Sequence, residues 1–350
     1  MRYQALIICI LCSTAIICGC EYDKINTHLT DCDTDFTGFP DIPGWKFSSV
    51  PVSSSIQSIR NSHFFAEGKG LIFTDSEIWL TENEAESWTK VMNGSTLRIS
   101  VISFIDQLHG FLAAKKDNKN CILKTDDGGH TWSTIFHQPA DEILSLSFAD
   151  SLKGIARLGH DENGNLFDRL YNAKTTDGGL TWQELPELSV SQTGLLEIRM
   201  FSNGFGYIPG EFNEIHLTHN FGESWFSLFT VPEILYVQVL NDTIAFADGP
   251  NGMYKTDAEG TWIKISDHYS QWFHFFSPTD GISLQIIARS LNFDSGTSCN
   301  EFHTTSDGGL TWNEGPPSIN FFIGDINFVN DHAGYGRLYA DGLRIVKIFR

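Results

Sequence analysis

The chain has 350 residues, of which 41% are hydrophobic and 13% aromatic, with phenylalanine alone contributing 27. This is enough apolar material for one large core in a domain of repeated units. Acidic residues number 43 against 23 basic ones, which gives a net charge of −20. A field of that sign repels nucleic acid and anionic lipid surfaces, so we exclude both as partners.

The N-terminal segment has the features of a secretory signal. Arg2 precedes an apolar run over residues 5–17, and small and cysteine residues come next at 18–20. The run is shorter than the ~20 residues that a membrane-spanning helix needs. We therefore place the signal at residues 1–19.

The end of this segment, Ile17-Cys18-Gly19-Cys20, resembles the lipobox of bacterial lipoproteins, in which the last cysteine is diacylated. The resemblance implies lipid attachment at Cys20, with acyl chains such as palmitate, and residues 20–42 as anchor and tether. An ordinary signal peptide, or a short membrane anchor, is the alternative to lipidation. The resemblance also implies a place in the bacterial cell envelope, held to the outer membrane on its periplasmic or exposed side, with the leaflet left open. The lipid is then the expected contact with the membrane.

Few cysteines remain after such processing. The sequence has seven, and those beyond Cys20 are Cys32, Cys121 and Cys299. An odd number with no local spacing pattern argues against a disulfide framework, while pairing of two of them stays open. No Cys-x-x-Cys pair remains there, and we expect neither a metal nor a cofactor.

One short phrase, Thr-Asp-Asp-Gly-Gly-His-Thr-Trp in its first full copy, recurs along the chain and predicts a repeat architecture. Near-complete copies occupy 125–132, 175–182 and 305–312, and degraded copies occupy 81–88, 218–225 and 256–262. Each copy lies between two short β-rich runs. We therefore interpret the phrase as a turn that joins two strands.

A second motif precedes the phrase and predicts a β-hairpin. It consists of an apolar run, a polar turn, and a glycine followed by an apolar residue, as in 102–111, 146–155 and 326–335. Looser copies begin near His63, Ile198, Val237 and Phe273. A hairpin followed by a turn-linked pair gives four antiparallel strands per repeat, which is a propeller blade.

The counts of the two motifs predict how the ring closes. The hairpin occurs seven times and the turn phrase six times, and one strand, residues 343–349, comes after the last hairpin. The segment around Trp45 reads like the sequence after a turn phrase, so we expect it to complete the last blade. The prediction is an all-β, seven-bladed propeller of four-stranded antiparallel blades over residues 43–350, with six or eight blades as the alternative.

The turn phrases resemble the Asp-box, or BNR repeat, of the propellers of bacterial sialidases, xyloglucanases, sortilin-type receptors and photosystem II stability and assembly factors. The short blades look most like the assembly-factor group. From the residues we predict a structural role: the aspartate accepts bonds from its own turn, glycine supplies a positive φ, and tryptophan packs between blades. The residues assigned to these roles are Asp126, Asp177, Asp307, Trp132, Trp182 and Trp312.

Sialidase activity is the catalytic alternative. Resemblance to that family would require a Phe/Tyr-Arg-Ile-Pro motif, further arginines, a Tyr–Glu pair and an aspartic acid, and the nearest match, at residues 58–61, lacks the proline. Arg157, Arg289 and Arg337 fall near the ends of second strands and are the candidates for an arginine binding cluster. Single surface arginines on an acidic protein are the favoured interpretation.

Two segments suggest metal ligation but fail on spacing. Residues 161–172 resemble a calcium loop, yet glycine stands at the fourth position rather than the sixth, and Asn172 replaces the final glutamate. His216 and His219 lie on one predicted strand at a spacing that sends them to opposite faces. We therefore predict no metal site.

The predicted topology separates two faces of the ring. Both kinds of turn and both chain ends lie on one face, which the tether approaches. The opposite face carries the loops between second and third strands, of which 159–169 and 292–298 are the longest. We predict a monomeric, non-catalytic assembly scaffold that binds a protein or glycan partner on that opposite face. A glycoside hydrolase, or an accessory protein of glycan degradation, is the alternative.

Overall fold

The computed structural model describes residues 42–350 apart from short segments, and every regular element in it is a β-strand. The segments outside the description are 57–58, 75–76, 94–96, 118, 139–140, 161–168, 187, 189–197, 210–213, 230–235, 242, 250, 258–260, 271, 290–297, 316–321 and 340–342. The predicted signal, Cys20, the tether up to residue 41, and most of the loops 159–169 and 292–298 therefore lie outside the described residues. Within the described residues, no helix has the length and apolar character needed to cross a bilayer.

The strands form seven four-stranded antiparallel sheets, each of them one blade. Blade 1 contains β2 (Asn61–Ala66), β3 (Lys69–Phe73), β4 (Glu77–Thr81) and β5 (Thr89–Asn93). Blade 2 contains β6 (Leu97–Phe104), β7 (Gly110–Lys116), β8 (Lys119–Thr125) and β9 (Ser133–Gln138). Blade 3 contains β10 (Asp141–Phe148), β11 (Gly154–His160), β12 (Arg169–Thr175) and β13 (Gln183–Glu184).

The remaining blades have the same order. Blade 4 contains β14 (Arg199–Met200), β15 (Gly206–Pro209), β16 (Glu214–Thr218) and β17 (Phe226–Phe229). Blade 5 contains β18 (Tyr236–Val239), β19 (Ala245–Gly249), β20 (Gly252–Thr256) and β21 (Trp262–Ser266). Blade 6 contains β22 (Trp272–Phe275), β23 (Gly281–Arg289), β24 (Ser298–Thr305) and β25 (Asn313–Glu314). Blade 7 contains β26 (Phe322–Phe328), β27 (Ala333–Tyr339), β28 (Leu343–Phe349) and the N-terminal strand β1 (Lys46–Pro51).

Strand β1 closes the ring as the outer strand of the last blade. It runs antiparallel to β28, from Lys46 opposite Phe349 to Pro51 opposite Arg344. Trp45, just before β1, is 8% exposed and packs in the core between blades 6 and 7. Both the seven-bladed architecture and its closure by the N-terminal strand are thus confirmed.

The hairpin motif reflects the packing between neighbouring blades. Phe148 on the first strand of blade 3 faces Gly154 on the second, and a Cβ on that glycine would come within 2.7 Å of the ring. Phe111, just after the corresponding glycine of blade 2, stacks on Phe148 with 3.6 Å between ring centroids. The equivalent stacked pairs are Tyr335 with Phe64 at 4.1 Å and Phe246 with Phe275 at 3.5 Å. A glycine followed by a bulky apolar residue is therefore the pattern that two packed blades require.

Polar side chains on the first strands, which lie innermost, tie a blade to the backbone of the next. Each such side chain stands one position before the residue that faces the glycine of its blade, or Ala245 in blade 5. Each bonds the backbone of the corresponding facing residue in the next blade. The pairs are Ser103 with Phe148, Ser147 with Met200, Gln238 with Phe275 and Asn327 with Phe64. Backbone groups near the centre of the ring thus obtain partners from the adjacent sheet.

Removing the closing strand should leave the edge of β28 unpaired and the Trp45 site empty. We expect a chain that begins at residue 60 to melt more than about 5 °C below one that begins at residue 42, because the loss of a few kcal/mol shifts the Tm of a large domain by several degrees. Scanning calorimetry of the two chains measures this difference. Equal Tm values would show that β1 does not stabilise the ring.

Candidate functional site

The turns that resemble the Asp-box, called Asp-box turns from here on, are self-contained hydrogen-bonded units. In blade 2 the Thr125 hydroxyl donates to Asp127 Oδ1 at 2.8 Å and accepts the N–H of Gly129 at 2.9 Å. The Asp127 carboxylate also accepts the N–H and the hydroxyl of Thr131, at 2.8 and 2.6 Å. The Trp132 indole N–H donates to the carbonyl of Gly129 at 3.0 Å. Both carboxylate oxygens are therefore occupied within the turn itself.

The structural aspartate of this turn is Asp127, which corrects the assignment to Asp126. The first full copy has two adjacent aspartates, and only the second lies where it can reach across the turn. Asp177 and Asp307 make the same bonds with the threonines four residues later. Asp126 is instead 59% exposed and pairs with Lys124 at 2.9 Å.

Two of the degraded turns keep this geometry with asparagine in place of aspartate. Asn83 Oδ1 accepts the N–H of Ser87 at 3.0 Å, and Asn220 Oδ1 accepts the N–H of Ser224 at 3.0 Å. Glu84 stands where the full copies have glycine and has a φ of 57°. That conformation is costly for a residue with a Cβ, so the surrounding bonds must hold it. The turn thus keeps its shape where its sequence differs.

The Asp-box tryptophans lie where two blades meet. Trp132 contacts Phe104 edge-on, at 6.2 Å between centroids, and packs against the cluster that Leu71 of blade 1 shares with blade 2. The equivalent edge-on pairs are Trp182 with Phe148 and Trp312 with Phe275. These turns join blades by burying one large ring each. Their polar groups face inward to the turn rather than outward to a ligand.

The candidate arginines lie in different blades. Arg157 on β11 is 5% exposed, and its Nε donates to Asn172 Oδ1 at 3.2 Å. Arg337 on β27 is 8% exposed and donates to the carbonyl of Ile59 at 3.3 Å. Arg289 ends β23, and its side chain lies outside the described residues. Arg157 and Arg337 are therefore buried cations within separate blades and are not brought together.

Metal ligation receives no support from the part of the chain that the structure describes. That part holds no group of three His, Cys, Asp or Glu residues arranged around a common point. His216 is buried and bonds Ser227 Oγ at 2.8 Å. Cys121 is a buried free thiol whose pKa is raised by burial. Most of the calcium-like loop, residues 161–168, and the side chain of Cys299 lie outside the description.

Three side chains that the sequence analysis missed stand at equivalent positions on the first strands of their blades. In the other blades this position on the first strand holds the polar side chain that bonds the next blade. Blades 1, 4 and 6 have His63, Arg199 and His274 there. Burial, followed by the charge of Arg199, lowers the pKa of both histidines to about 4. Arg199 therefore lies close enough to both histidines for its charge to act on their imidazoles. At neutral pH the two imidazoles are uncharged. Alignment of the hairpin motifs, where the other members are Ser, Gln and Asn, is the signal that would have found them.

Buried Asp248, at the end of β19, was also missed. It is 1% exposed, and its Oδ2 accepts the N–H and the hydroxyl of Ser270 at 2.7 and 2.6 Å. Burial raises the pKa of this carboxyl to about 7. A strongly shifted acid is a common sign of a functional site. Here the side chain has almost no surface to offer a ligand, and its contacts hold the connection between blades 5 and 6.

A cavity of about 370 Å³ opens between the turns of blades 4 and 5. Its size falls in the range of small-molecule sites. It is formed by the β14–β15 turn, the degraded Asp-box of blade 4 and the β18–β19 turn. The lining residues are Phe201, Ser202, Asn203, Phe205, His219, Leu240 and Asn241. No Asp, Glu, Lys or Arg is among the lining residues that the structure describes.

Comparisons with known proteins place this fold among propellers of the same kind. No protein-family model and no curated protein matches the chain. Among solved structures, YCF48 bound to D1 peptide aligns with a TM-score of 0.59 and 15% identity over 89% of this chain and 98% of that one. YCF48 from Cyanidioschyzon merolae aligns with a TM-score of 0.56 and 16% identity over 87% of this chain and 99% of that one. The GH74 enzyme of Niastella koreensis aligns with a TM-score of 0.57 and 17% identity over 79% of this chain but 50% of its own. At these identities the likeness concerns the fold.

The adjacent aspartates of blade 2 provide a matched pair for testing the Asp-box. We expect Asp127→Ala to lower the free energy of unfolding by about 1–2 kcal/mol, because several hydrogen bonds of the turn lose their acceptor. Asp126→Ala should cost less than about 0.5 kcal/mol, since it removes one exposed ion pair. Denaturant unfolding of the two variants measures both values. Equal decreases in the free energy of unfolding for the two variants would show that Asp126 also has a structural role.

Proposed function

We propose that this protein is a non-catalytic binding scaffold, exported to the cell envelope, held there by lipid on Cys20, and engaged with a protein partner on the face opposite its anchor. The observation that carries the proposal is the end-to-end likeness of this propeller to YCF48 bound to D1 peptide, over 89% of one chain and 98% of the other. The likeness lies in the fold, so the identity of that peptide is not transferred.

The hydrolase alternative has weaker support. The GH74 enzyme of Niastella koreensis shares the propeller, but the alignment spans 50% of that enzyme. A sialidase-like site would need arginines gathered at one surface. Arg157 and Arg337 are buried in blades 3 and 7 and bonded there. These contacts favour a scaffold over a hydrolase.

The chain enters the propeller on the face that carries the Asp-boxes. Hairpin turns and Asp-boxes lie side by side there, since the Gly128 N–H donates to the carbonyl of Leu108 at 2.8 Å. Strand β1 begins at this face, and Arg350 at the other terminus bonds the last hairpin turn. A tether over residues 21–42 spans at most roughly 75 Å. The opposite face, with the turns between second and third strands, therefore points away from the proposed anchor.

On that opposite face one hairpin carries positive charge. Four basic residues lie close together where β6 begins and where β7 turns into β8. They are Arg98, Lys115, Lys116 and Lys119, and we call them the basic hairpin. The turn also holds one acidic residue, Asp117, and within the described residues none of the four basic residues forms a salt bridge. In a chain of net charge −20 this is a local exception. It favours a partner with an acidic segment, because complementary charge speeds and orients association.

The anchor is tested at Cys20. In a bacterial host, full-length Cys20→Ala should leave the membrane fraction and no longer partition with detergent, because the acyl chains are its proposed membrane contact. Cys18→Ala is the matched control and should stay with the membrane. An unchanged distribution of Cys20→Ala would exclude lipid anchoring at this residue.

The partner surface is tested by charge reversal. A variant in which Lys115, Lys116 and Lys119 are all changed to Glu should no longer recover the cross-linked partner from cells. Recovery by the unchanged protein should fall as the salt concentration rises. The control carries the same charge change at Lys46, Lys90 and Lys264, which lie on outer strands of other blades. If the two variants recover the partner equally well, the partner does not bind the basic hairpin. If the unchanged protein recovers no partner, the binding role is refuted.

A further inference from the structure

We propose that the cavity between the turns of blades 4 and 5 is a binding site for an uncharged sugar ring. This site lies on the Asp-box face and is independent of the basic hairpin on the other side. Three features of its lining support the assignment. They are a row of aromatic rings, amide N–H donors that no turn uses, and the uncharged character of the described lining residues other than one histidine.

Three rings of the aromatic row line the cavity, and the fourth, Phe226, continues the row beside it. Phe201 stacks near Phe205 at 5.7 Å, Phe205 lies 5.7 Å from His219, and His219 stacks on Phe226 at 5.0 Å with 10° between the planes. The two ends of the row are open to solvent, Phe201 at 39% and Phe226 at 42% exposure. Exposed aromatic faces beside a cavity are typical of binding sites. The C–H face of a pyranose ring packs flat on such a surface.

Two asparagines supply the polar side of the cavity. Asn241 Oδ1 accepts the N–H and hydroxyl of Thr243 and the N–H of Ile244, at 3.0, 3.0 and 2.9 Å. Asn203 Oδ1 accepts the N–H of Phe205 at 3.0 Å. These donors establish which amide atom is oxygen, so each NH₂ group is directed away from its turn. Within the described residues neither NH₂ group has a partner, and both line the cavity, where they can donate to sugar hydroxyls.

The turns themselves do not require an amide at these positions. In blades 2 and 3 the same capping role is filled by Asp106 and Asp150, whose carboxylates accept the N–H groups of Leu108 and Leu152 at 2.7 and 2.8 Å. A carboxylate therefore serves the turn equally well. At Asn203 and Asn241 the amide adds donors and removes charge, which suits a neutral, hydroxyl-bearing ligand.

These turns suggest a conservative substitution. Asn241→Asp should keep the turn folded, as Asp106 does in blade 2, while it replaces the donor with a negative charge. Phe201→Ala removes the exposed ring at the mouth of the cavity. Ile263→Ala, at a residue 50% exposed on outer strand β21, is the matched control for loss of an exposed apolar side chain.

The experiment is saturation-transfer NMR on the full chain, with methyl glycosides of glucose, galactose, mannose and N-acetylglucosamine as probes. We expect transfer to at least one glycoside at millimolar concentration, retained in Ile263→Ala and weakened at least ~tenfold in Asn241→Asp and Phe201→Ala, since each loses a direct contact. Unchanged thermal unfolding of Asn241→Asp would show that the loss concerns the ligand.

Other outcomes overturn the proposal. Absence of transfer to every glycoside, or transfer that Asn241→Asp leaves unchanged, would exclude a sugar site in this cavity. Transfer to N-acetylphenylalanine amide that is lost in Phe201→Ala, with none to the glycosides, would make the cavity a site for a peptide side chain. Charge reversal at the basic hairpin should leave sugar binding intact, so failure here is separable from failure of the scaffold proposal.

Discussion

The approach of neighbouring blades is governed by a bulky side chain that lies over a small residue of its own blade. Six blades place Phe or Met opposite a glycine, and blade 5 places Val239 opposite Ala245. Because the glycine has no Cβ, an aromatic ring at the facing position lies flat against the glycine. The other face of that ring packs against a side chain of the preceding blade. Stacked pairs of this kind contribute about 0.5–1.5 kcal/mol beyond the area they bury. The polar bonds between first strands result from that close approach.

Blade number and closure could be predicted because their signals are local. Both motifs are contained in short stretches of chain, and Trp45 falls in step with the later tryptophans. The error at Asp126 has an equally local cause. Either of the two adjacent aspartates matches the sequence motif. Only the hydrogen bonds from Thr131 to Asp127 across the turn identify which one is structural.

The cavity was out of reach of sequence reasoning because it brings together residues of different blades. The cavity joins Phe201 and Asn203 in one turn to Asn241 in the next blade, and no spacing rule links such residues. Arg157 illustrates the converse: an arginine near a strand end suggests a surface ligand, yet the strand turns it inward to Asn172. The structure also separates chemistries by face, with the basic hairpin on one side and the neutral aromatic cavity on the other. The two proposed partners would therefore bind opposite faces of the ring.

Closure by β1 also determines the order in which the fold can be completed. Lys46 pairs with Phe349, so the ring stays open until the chain has been synthesised as far as β28. Contacts of such sequence separation form slowly, because the entropy of bringing the two ends together is lost before the pairing is gained. Until β1 pairs with β28, the outer edge of β28 presents unpaired backbone. The facing sides of the first and last blades present apolar surface during the same stage. The open ring is therefore the stage at which this chain is most exposed to aggregation and most dependent on protection by the cell.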